Sequence, residues 1–408
     1  MTPPQVKPLV RVGWLSASAF AGMFGFGIVM ALLGAILPSL SNRLHFDLGQ
    51  AGNLFLAMNA SMLVTTVALG PYLDRFGHKW PLAVAPLLVS GAVVLIANVD
   101  DFSGLVAGVI LLGIGGGALN QTTNTLVADL HEGEHRKSVA LNLLGVFFGF
   151  GALFVPFTIG FLVRALNLAG ILYIAAGVSV ITTILSTPFA FPPARQSGGV
   201  PFARILLFLR QPLVLFFSFL LFFESGNEFI LGGYISLYLT RHLGANVSTA
   251  SYLLAAYWAA LMLGRVVLSR TVLRSGGSKL ILGSSLGVAG SMILLLAARS
   301  LPLAAGAVVL LGFTIATIFP TVLGIAGAAY VSHAGTVFGV MIGIALAGGM
   351  TLPWLTGKLS AHYGIERGLI IVIVDALAVF SLQLGAGRVA SSRAAAEEPD
   401  ASDGWRAL

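Results

Sequence analysis

Gly70-Pro71-Tyr72-Leu73-Asp74-Arg75-Phe76-Gly77-His78-Lys79 is a short charged stretch joining two apolar runs, 51–71 and 80–98. Each run matches the roughly 20 residues that a helix needs to cross about 30 Å of hydrocarbon. The same alternation recurs along the chain. Further spans are read at 14–38, 102–128, 138–163, 168–190, 212–240, 248–268, 279–298, 302–330, 335–357 and 367–387, making twelve. Composition points the same way: of 408 residues 57% are hydrophobic and 9% charged. A soluble domain carries about 25% charged residues. Mean hydropathy is +0.96. A water-soluble core of this size would have too little polar surface to cover it. Disorder and a disulfide scaffold are excluded by the low charge and the absence of cysteine. Helices are expected, because an open strand edge in lipid leaves backbone groups unpaired. The first span, preceded by Lys7 and Arg11, resembles a signal peptide. Its length, the lack of a clear cleavage site and the eleven spans behind it favour retention.

Orientation follows from Lys and Arg. With the N-terminus cytoplasmic, that side holds sixteen of them, among them Arg75, Lys79, Arg136, Lys137, Arg204, Arg270 and Arg274. The other side holds six: Arg43, Arg164, Arg241, Arg299, Lys358 and Arg367. Both termini are therefore expected in the cytoplasm of a multi-pass cell-membrane protein, with a bacterial inner membrane the natural setting. The formal charge of +7 is explained without nucleic acid. Residues 191–211 hold three prolines, Gly198-Gly199 and three arginines with no acid. They read as a cytoplasmic linker, with Pro201–Arg210 a candidate basic surface helix. The expected organisation is a six-helix bundle over 1–190, the linker over 191–211, a second bundle over 212–387 and a disordered cytoplasmic tail over 388–408. The halves echo one another: Gly151, Pro156 and Gly160 in the fifth span recur as Gly348, Pro353 and Gly357 in the eleventh. A duplicated half with a site at its interface is a common transporter plan. Pro156 and Pro353 each remove a backbone donor and favour a bend.

The stretch Gly70–Lys79 resembles the G-x-x-x-D-R-x-G-x-K/R signature of the major facilitator superfamily, and Leu263-Gly264-Arg265 with Arg270, Arg274 and Gly276 is a weaker echo in the second half. The resemblance implies an all-α membrane protein of twelve transmembrane helices in two pseudo-symmetric bundles, working by alternating access. It also implies a cytoplasmic gate, with Asp74 closing against the other half and Arg75 and Lys79 in support; Arg265 is read either as pairing at that gate or as snorkelling. A negative charge at the C-terminal end of its own helix is unfavourable, so a partner elsewhere fits Asp74 better.

A narrower resemblance is to the fucose and glucose permease branch. It rests on Gly115–Leu126, Leu141-Asn142-Leu143-Leu144, Phe148–Leu153 with Pro156, Gly226-Asn227-Glu228 with Gly232-Gly233-Tyr234, Phe319-Pro320-Thr321, and Gly348-Gly349 with Pro353. It implies cotransport of a sugar or polyol with H⁺ or Na⁺. The chain departs from that branch in three places. Asn120 stands where that branch often has an acid before its fourth-span Asn, the first span has no acid around Gly34, and Glu224 falls where an aromatic residue is common. Either the coupling carboxylate has moved to the seventh helix, or the substrate differs, or coupling is absent.

Three acids fall well inside spans: Glu224, Glu228 and Asp375. Glu224 lies roughly 18 Å along a helix starting at Pro212, and Glu228 is one turn further on the same face. Such a pair can hold one proton, ligate Na⁺, or bond vicinal hydroxyls. Asn227 lies beside them, and Gly232-Gly233 permits a helix break just beyond. Asn120, Gln121, Asn124 and Asn142 form a second polar concentration, and amides suit uncharged polyhydroxyl ligands. Of the aromatic residues Tyr234, Tyr238, Tyr257, Trp258 and Trp354, Trp258 is the candidate ring for a sugar face. Asp375, on the twelfth helix, is as well explained by a structural partner as by transport. All seven histidines lie in loops or near span ends, which argues against a histidine relay. No zinc motif, nucleophile elbow or Cys/His set is present, so no enzyme is expected. The expected partners are a small sugar-like substrate and membrane lipids. No cofactor, metal or nucleic acid is expected, and the protein is expected to be a monomer. The leading reading is an importer of a sugar or polyol with H⁺ or Na⁺; the rival is a proton-coupled exporter of drugs or metabolites, whose fifth-span Gly/Pro pattern this chain also resembles.

Overall fold

The computed structural model describes residues 12–131, 134–186, 191, 208–330 and 334–397. Among them, helices α1 (Val12–Leu44), α2 (Leu48–Phe76), α3 (Lys79–Asn98), α4 (Phe102–Leu130), α5 (Glu134–Leu162) and α6 (Leu168–Ser186) make the first six spans. The second six are α7 (Pro212–Arg241), α8 (Val247–Ser275), α9 (Gly277–Ala297), α10 (Leu301–Ile315) with α11 (Ile318–Ala329), α12 (Ala334–Tyr363), and α13 (Ile365–Gly368) with α14 (Ile370–Glu397). Twelve stretches are long and apolar enough to cross a membrane, and they pair one to one with the expected spans. The chain is an all-helical, multi-pass membrane protein.

Local chemistry explains several boundaries. Asp47 and Gln50 form a capping box at the start of α2, with bonds of 2.7 and 2.9 Å, and Asp101 caps α4 through Gly104 N–H at 3.1 Å. These carboxylates meet free N–H groups and the positive end of a helix dipole. Arg43 donates to the carbonyls of Ile96, Ala97 and Val99 at 3.1–3.3 Å, placing a cation at the opposite pole of α3.

Four expectations are corrected. The first span does not stop at Pro38; α1 carries that proline inside and runs on to Leu44. The seventh helix does not break at Gly232-Gly233, because α7 is continuous to Arg241. Those glycines serve close approach instead: a methyl on Gly34 of α1 would overlap the Gly232 carbonyl oxygen. The break falls in the tenth span, at Ala316-Thr317 between α10 and α11. Pro320 sits in the first turn of α11 and has no N–H to offer the carbonyl of Ala316. Lastly, α14 is helical to Glu397, well past the expected start of the tail at 388. Most of the expected linker lies outside the described residues.

The two repeated Gly/Pro patterns occupy equivalent places. Gly151 of α5 lies against the backbone of Phe24 on α1, and Gly348 of α12 lies against the backbone of Phe222 on α7. Both helices run through their prolines unbroken. Gly160 of α5 meets Tyr252 of α8, and Gly357 of α12 meets Gly52 and Leu48 of α2. The fifth and eleventh spans thus each cross to the opposite half.

Candidate functional site

Because the spans are even in number, the start of α1 and the end of α14 lie on one face, the termini face. The described contacts between the halves cluster towards the other face, the far face. Gly34 meets Gly232 and Gly233, Phe55 packs at a tilt against Tyr234 with ring centres 5.1 Å apart, and Gly52 meets Trp354 and Gly357. Trp354 Nε1 donates to Asn53 Oδ1 at 3.1 Å, Arg241 donates to Ser41 Oγ at 3.3 Å, and Ser248 Oγ donates to the Gly160 carbonyl at 2.5 Å. At mid-depth Phe148 of α5 packs edge-on against Trp258 of α8 at 6.0 Å, and Met262 lies over Gly149. Beyond that level no contact between the halves is described, and α2 leaves Val64 and Val67 each 67% exposed. Among the described residues the halves meet at the far face and part towards the termini face.

The charged site lies where α7 packs on α8. Glu228 of α7 faces Arg265 of α8, with a guanidinium nitrogen 3.4 Å from Oε2. Glu224, one turn back on α7, is 1% exposed, and its Oε2 has no hydrogen-bond partner. It interacts electrostatically with both Glu228 and Arg265. Tyr257 of α8 is within electrostatic reach of all three, and its buried hydroxyl is also unpartnered. The acids were expected to line the cleft between the halves. They turn towards α8 instead, and among the described residues none of their partners belongs to the first half. Arg265, a candidate for the gate, belongs to this cluster. Nothing local in the sequence signals that Arg265 and Glu228 meet, because the contact depends on how two antiparallel helices pack.

Other expected site residues separate. Asn227 is 2% exposed and donates through Nδ2 to the Val372 carbonyl of α14 at 3.3 Å, so it turns away from the cleft. Trp258 is 1% exposed, covers Gly232 and meets Phe148, so it plugs the junction of the halves; its Nε1 has no partner. On α4, Gly113 and Gly117 face α2, while Gly116 faces α1. Asn120 falls in the sector between those two directions and Asn124 on the α2 side of it. Asn124 donates to Asn120 Oδ1 at 2.9 Å and to its carbonyl at 2.8 Å, forming one linked, half-buried pair. Gln121 lies apart from them, lining a cavity of about 260 Å³ near the termini face with Gly70, Leu73, Asp74, His78, Thr125, Ala128 and Asp129. There His78 Nε2 approaches Asp129 Oδ2 at 3.7 Å. The side chain of Asn142 lies outside the described residues, as do those of Arg270 and Arg274. Asp74, Arg75 and Lys79 are exposed, with Arg75 5.2 Å over the Phe76 ring. Among the described residues Asp74 makes no ion pair. Asn53 and Trp354, which join the halves, were not singled out together from the sequence; each is an ordinary polar or interfacial residue until the fold opposes them.

Twelve spans, crossing fifth and eleventh helices and a cleft open on one face define a transporter built on the major facilitator plan. The family model of the Major Facilitator Superfamily matches residues 19–224, and the chain belongs to that superfamily. It is 23% identical over 345 residues to the Fosmidomycin resistance protein of Escherichia coli (strain K12), spanning 83% of this chain and 84% of that protein. It is also 33% identical over 123 residues to the 4-hydroxybenzoate transporter PcaK of Acinetobacter baylyi, 30% of this chain and 27% of that one. Among solved structures, a bacterial homolog of the human lysosomal transporter Spinster, inward-facing and occupied, superposes with a TM-score of 0.75 at 14% identity. That match covers 93% of this chain and 96% of the other. A D-xylose-proton symporter gives a TM-score of 0.75 at 15% identity, over 92% and 97%.

Proposed function

We propose that the protein couples proton movement to transport of a small hydrophilic solute, a sugar or similar polyol, by alternating access. The observation that carries this reading is the cluster of Glu224, Glu228 and Arg265 where α7 packs on α8. One guanidinium neutralises one carboxylate. A second carboxylate buried without its own cation is costly, and such a group takes a proton instead. Two acids sharing one arginine thus hold one exchangeable proton. Glu228 and Arg265 stand nearest the cleft, with side chains 13% and 30% exposed, and Glu224 lies behind them. The arginine also argues for H⁺ over Na⁺, since a cation 3.4 Å from Glu228 repels a second one. The linked pair Asn120–Asn124 offers both donors and acceptors to hydroxyl groups from the first half. The sugar-like substrate also rests on the resemblance to the fucose and glucose permease branch. By the distribution of Lys and Arg the termini face is cytoplasmic, so the state seen is open to the cell interior. Asp74 then acts in the opposite state, when the cytoplasmic ends of the two halves meet.

The test is uptake of a panel of labelled sugars into proteoliposomes under imposed pH or Na⁺ gradients. Glu228→Gln should abolish gradient-driven accumulation, and Glu224→Gln should change its pH dependence. Accumulation driven by Na⁺ alone, or left unchanged by both substitutions, overturns the coupling scheme. A second reading, proton-coupled export, is favoured by similarity to the Fosmidomycin resistance protein along most of the chain. It predicts no sugar accumulation, and instead exchange of an organic solute against protons moving the other way.

A further inference from the structure

Asp375 has no role in the scheme above, yet it is among the most enclosed acids of the chain. It is 3% exposed on α14, and its Oδ2 has no hydrogen-bond partner. Two contacts fix the antiparallel register of α14 on α7: Asn227 against the Val372 carbonyl, and Phe216 against Gly385. Asp375 lies between them, level with Glu224 and Ser225. It follows Val372 by three residues, within about 60° of the same helix face. A helical side chain leans back over the preceding turn, so the Asp375 carboxyl leans towards the turn at Val372. There the Asn227 amide is already held at 3.3 Å from the Val372 carbonyl. The Asn227 Nδ2 is spent on that carbonyl, and its Oδ1 is buried with no donor. The register thus puts two buried acceptor oxygens, each with nothing to bond it, at neighbouring levels of the α7–α14 contact.

We propose that Asp375 is a second proton-binding residue, and that its carboxylic acid O–H donates to Asn227 Oδ1, tying α14 to the back of α7. One proton satisfies both oxygens at once. Its loss would set a carboxylate against an amide oxygen and loosen α14 from the helix that carries Glu224 and Glu228. Of the charged and titratable side chains on the elements packed against α14, Glu224 of α7 lies level with Asp375 and keeps one oxygen unpartnered, and the others are engaged or remote. On α7, Glu228 pairs with Arg265, which Glu224 also approaches; Tyr234 donates to the Pro353 carbonyl, Tyr238 to that of Leu295, and Arg241 to Ser41. On α9, Lys279 is exposed beside Ser278, which accepts a bond from Gln383 two turns beyond Asp375. On α13, Glu366 pairs with His242, and Arg367 is exposed near the far face. Asp375 acts here through Asn227 as a positioning residue, and the proposal stands whether or not Glu224 carries the coupling proton.

The test is infrared spectroscopy of the purified full chain in lipid nanodiscs at neutral pH, reading the carbonyl stretch of protonated carboxyl groups. Spectra of Glu224→Gln and of the double variant Glu224→Gln/Asp375→Asn separate the signal of Asp375 from that of Glu224. The expected result is a carboxylic acid band in Glu224→Gln that is lost in the double variant, and that shifts to higher frequency when Asn227→Ala removes the acceptor. The isosteric Asp375→Asn keeps a donor towards Asn227, so the chain should fold. Identical acid bands with and without Asp375 overturn the proton. A band that Asn227→Ala leaves in place overturns the tie to α7.

Discussion

The two ends of the cleft carry different chemistry. At the far face the halves meet through backbone, with Gly34 on Gly232 and Gly52 on Gly357, and a few hydrogen bonds join them. At the termini face the facing chemistry is charge: Asp74, Arg75 and Lys79 at the end of α2 and the start of α3, with no described contact to the second half. A glycine contact depends on shape alone and takes no notice of pH or salt. A charged contact is weak when solvated and grows when water leaves. On the function proposed above, a neutral, shape-fitted seal at one end would be opposed by an electrostatic one at the other, with the acid–arginine cluster tipping the balance.

The strongest way to break the comparison is to fill the glycine seal. Gly34→Val places a branched side chain where even a methyl overlaps the Gly232 carbonyl oxygen. Overpacking costs about 1–3 kcal/mol, which corresponds to a shift of roughly 5- to 150-fold between two states. The chain has no cysteine, so spin labels at Leu166→Cys and Arg299→Cys, both exposed at the far face, report the distance between the halves cleanly. The far-face distance should lengthen in the variant, and transport should fall with it. An unchanged distance distribution would mean that the seal does not depend on glycine.

A smaller effect follows from Trp354→Phe. The ring remains and only the donor to Asn53 Oδ1 goes. A neutral hydrogen bond contributes about 1 kcal/mol net, so the opening equilibrium at the far face should shift by about fivefold. The same spin-label pair measures it. A shift as large as that of Gly34→Val would show that the seal is polar after all.

Legibility in the sequence follows the range of the interactions. The twelve spans depend on runs of apolar residues, and Asp47 and Asp101 cap helices three residues away, so both lie within a window the eye can hold. Gly232-Gly233 shows the opposite case. Read locally, two glycines weaken a helix; in the fold they admit Gly34 and Trp258, and α7 stays whole. Asn227 sits one residue from Glu228 in sequence, yet a helix turns each residue by about 100°, enough to send one to α14 and the other to α8. Arg265 lies 37 residues from its partner, and only the packing of α7 on α8 joins them. Spacing along one helix fixes which acids share a face. It does not fix which neighbour that face meets.

The smallest effect on the far-face distance is expected from the other end of the comparison. Asp74 is exposed and makes no ion pair among the described residues in the state seen here, so Asp74→Ala removes nothing that holds this state together. The spin-label distances should match those of the parent, and thermal stability should change by no more than about 0.5 kcal/mol, as for an ordinary surface substitution. Turnover should nevertheless slow, with little change in substrate affinity, if Asp74 acts as the proposed gate and meets its partner only when the termini face closes. An interaction present in one state alone moves the equilibrium between states by its full free energy, and leaves untouched the state that lacks it. A large loss of affinity at normal turnover would place Asp74 in the binding site rather than at a gate, and would remove the electrostatic half of the contrast.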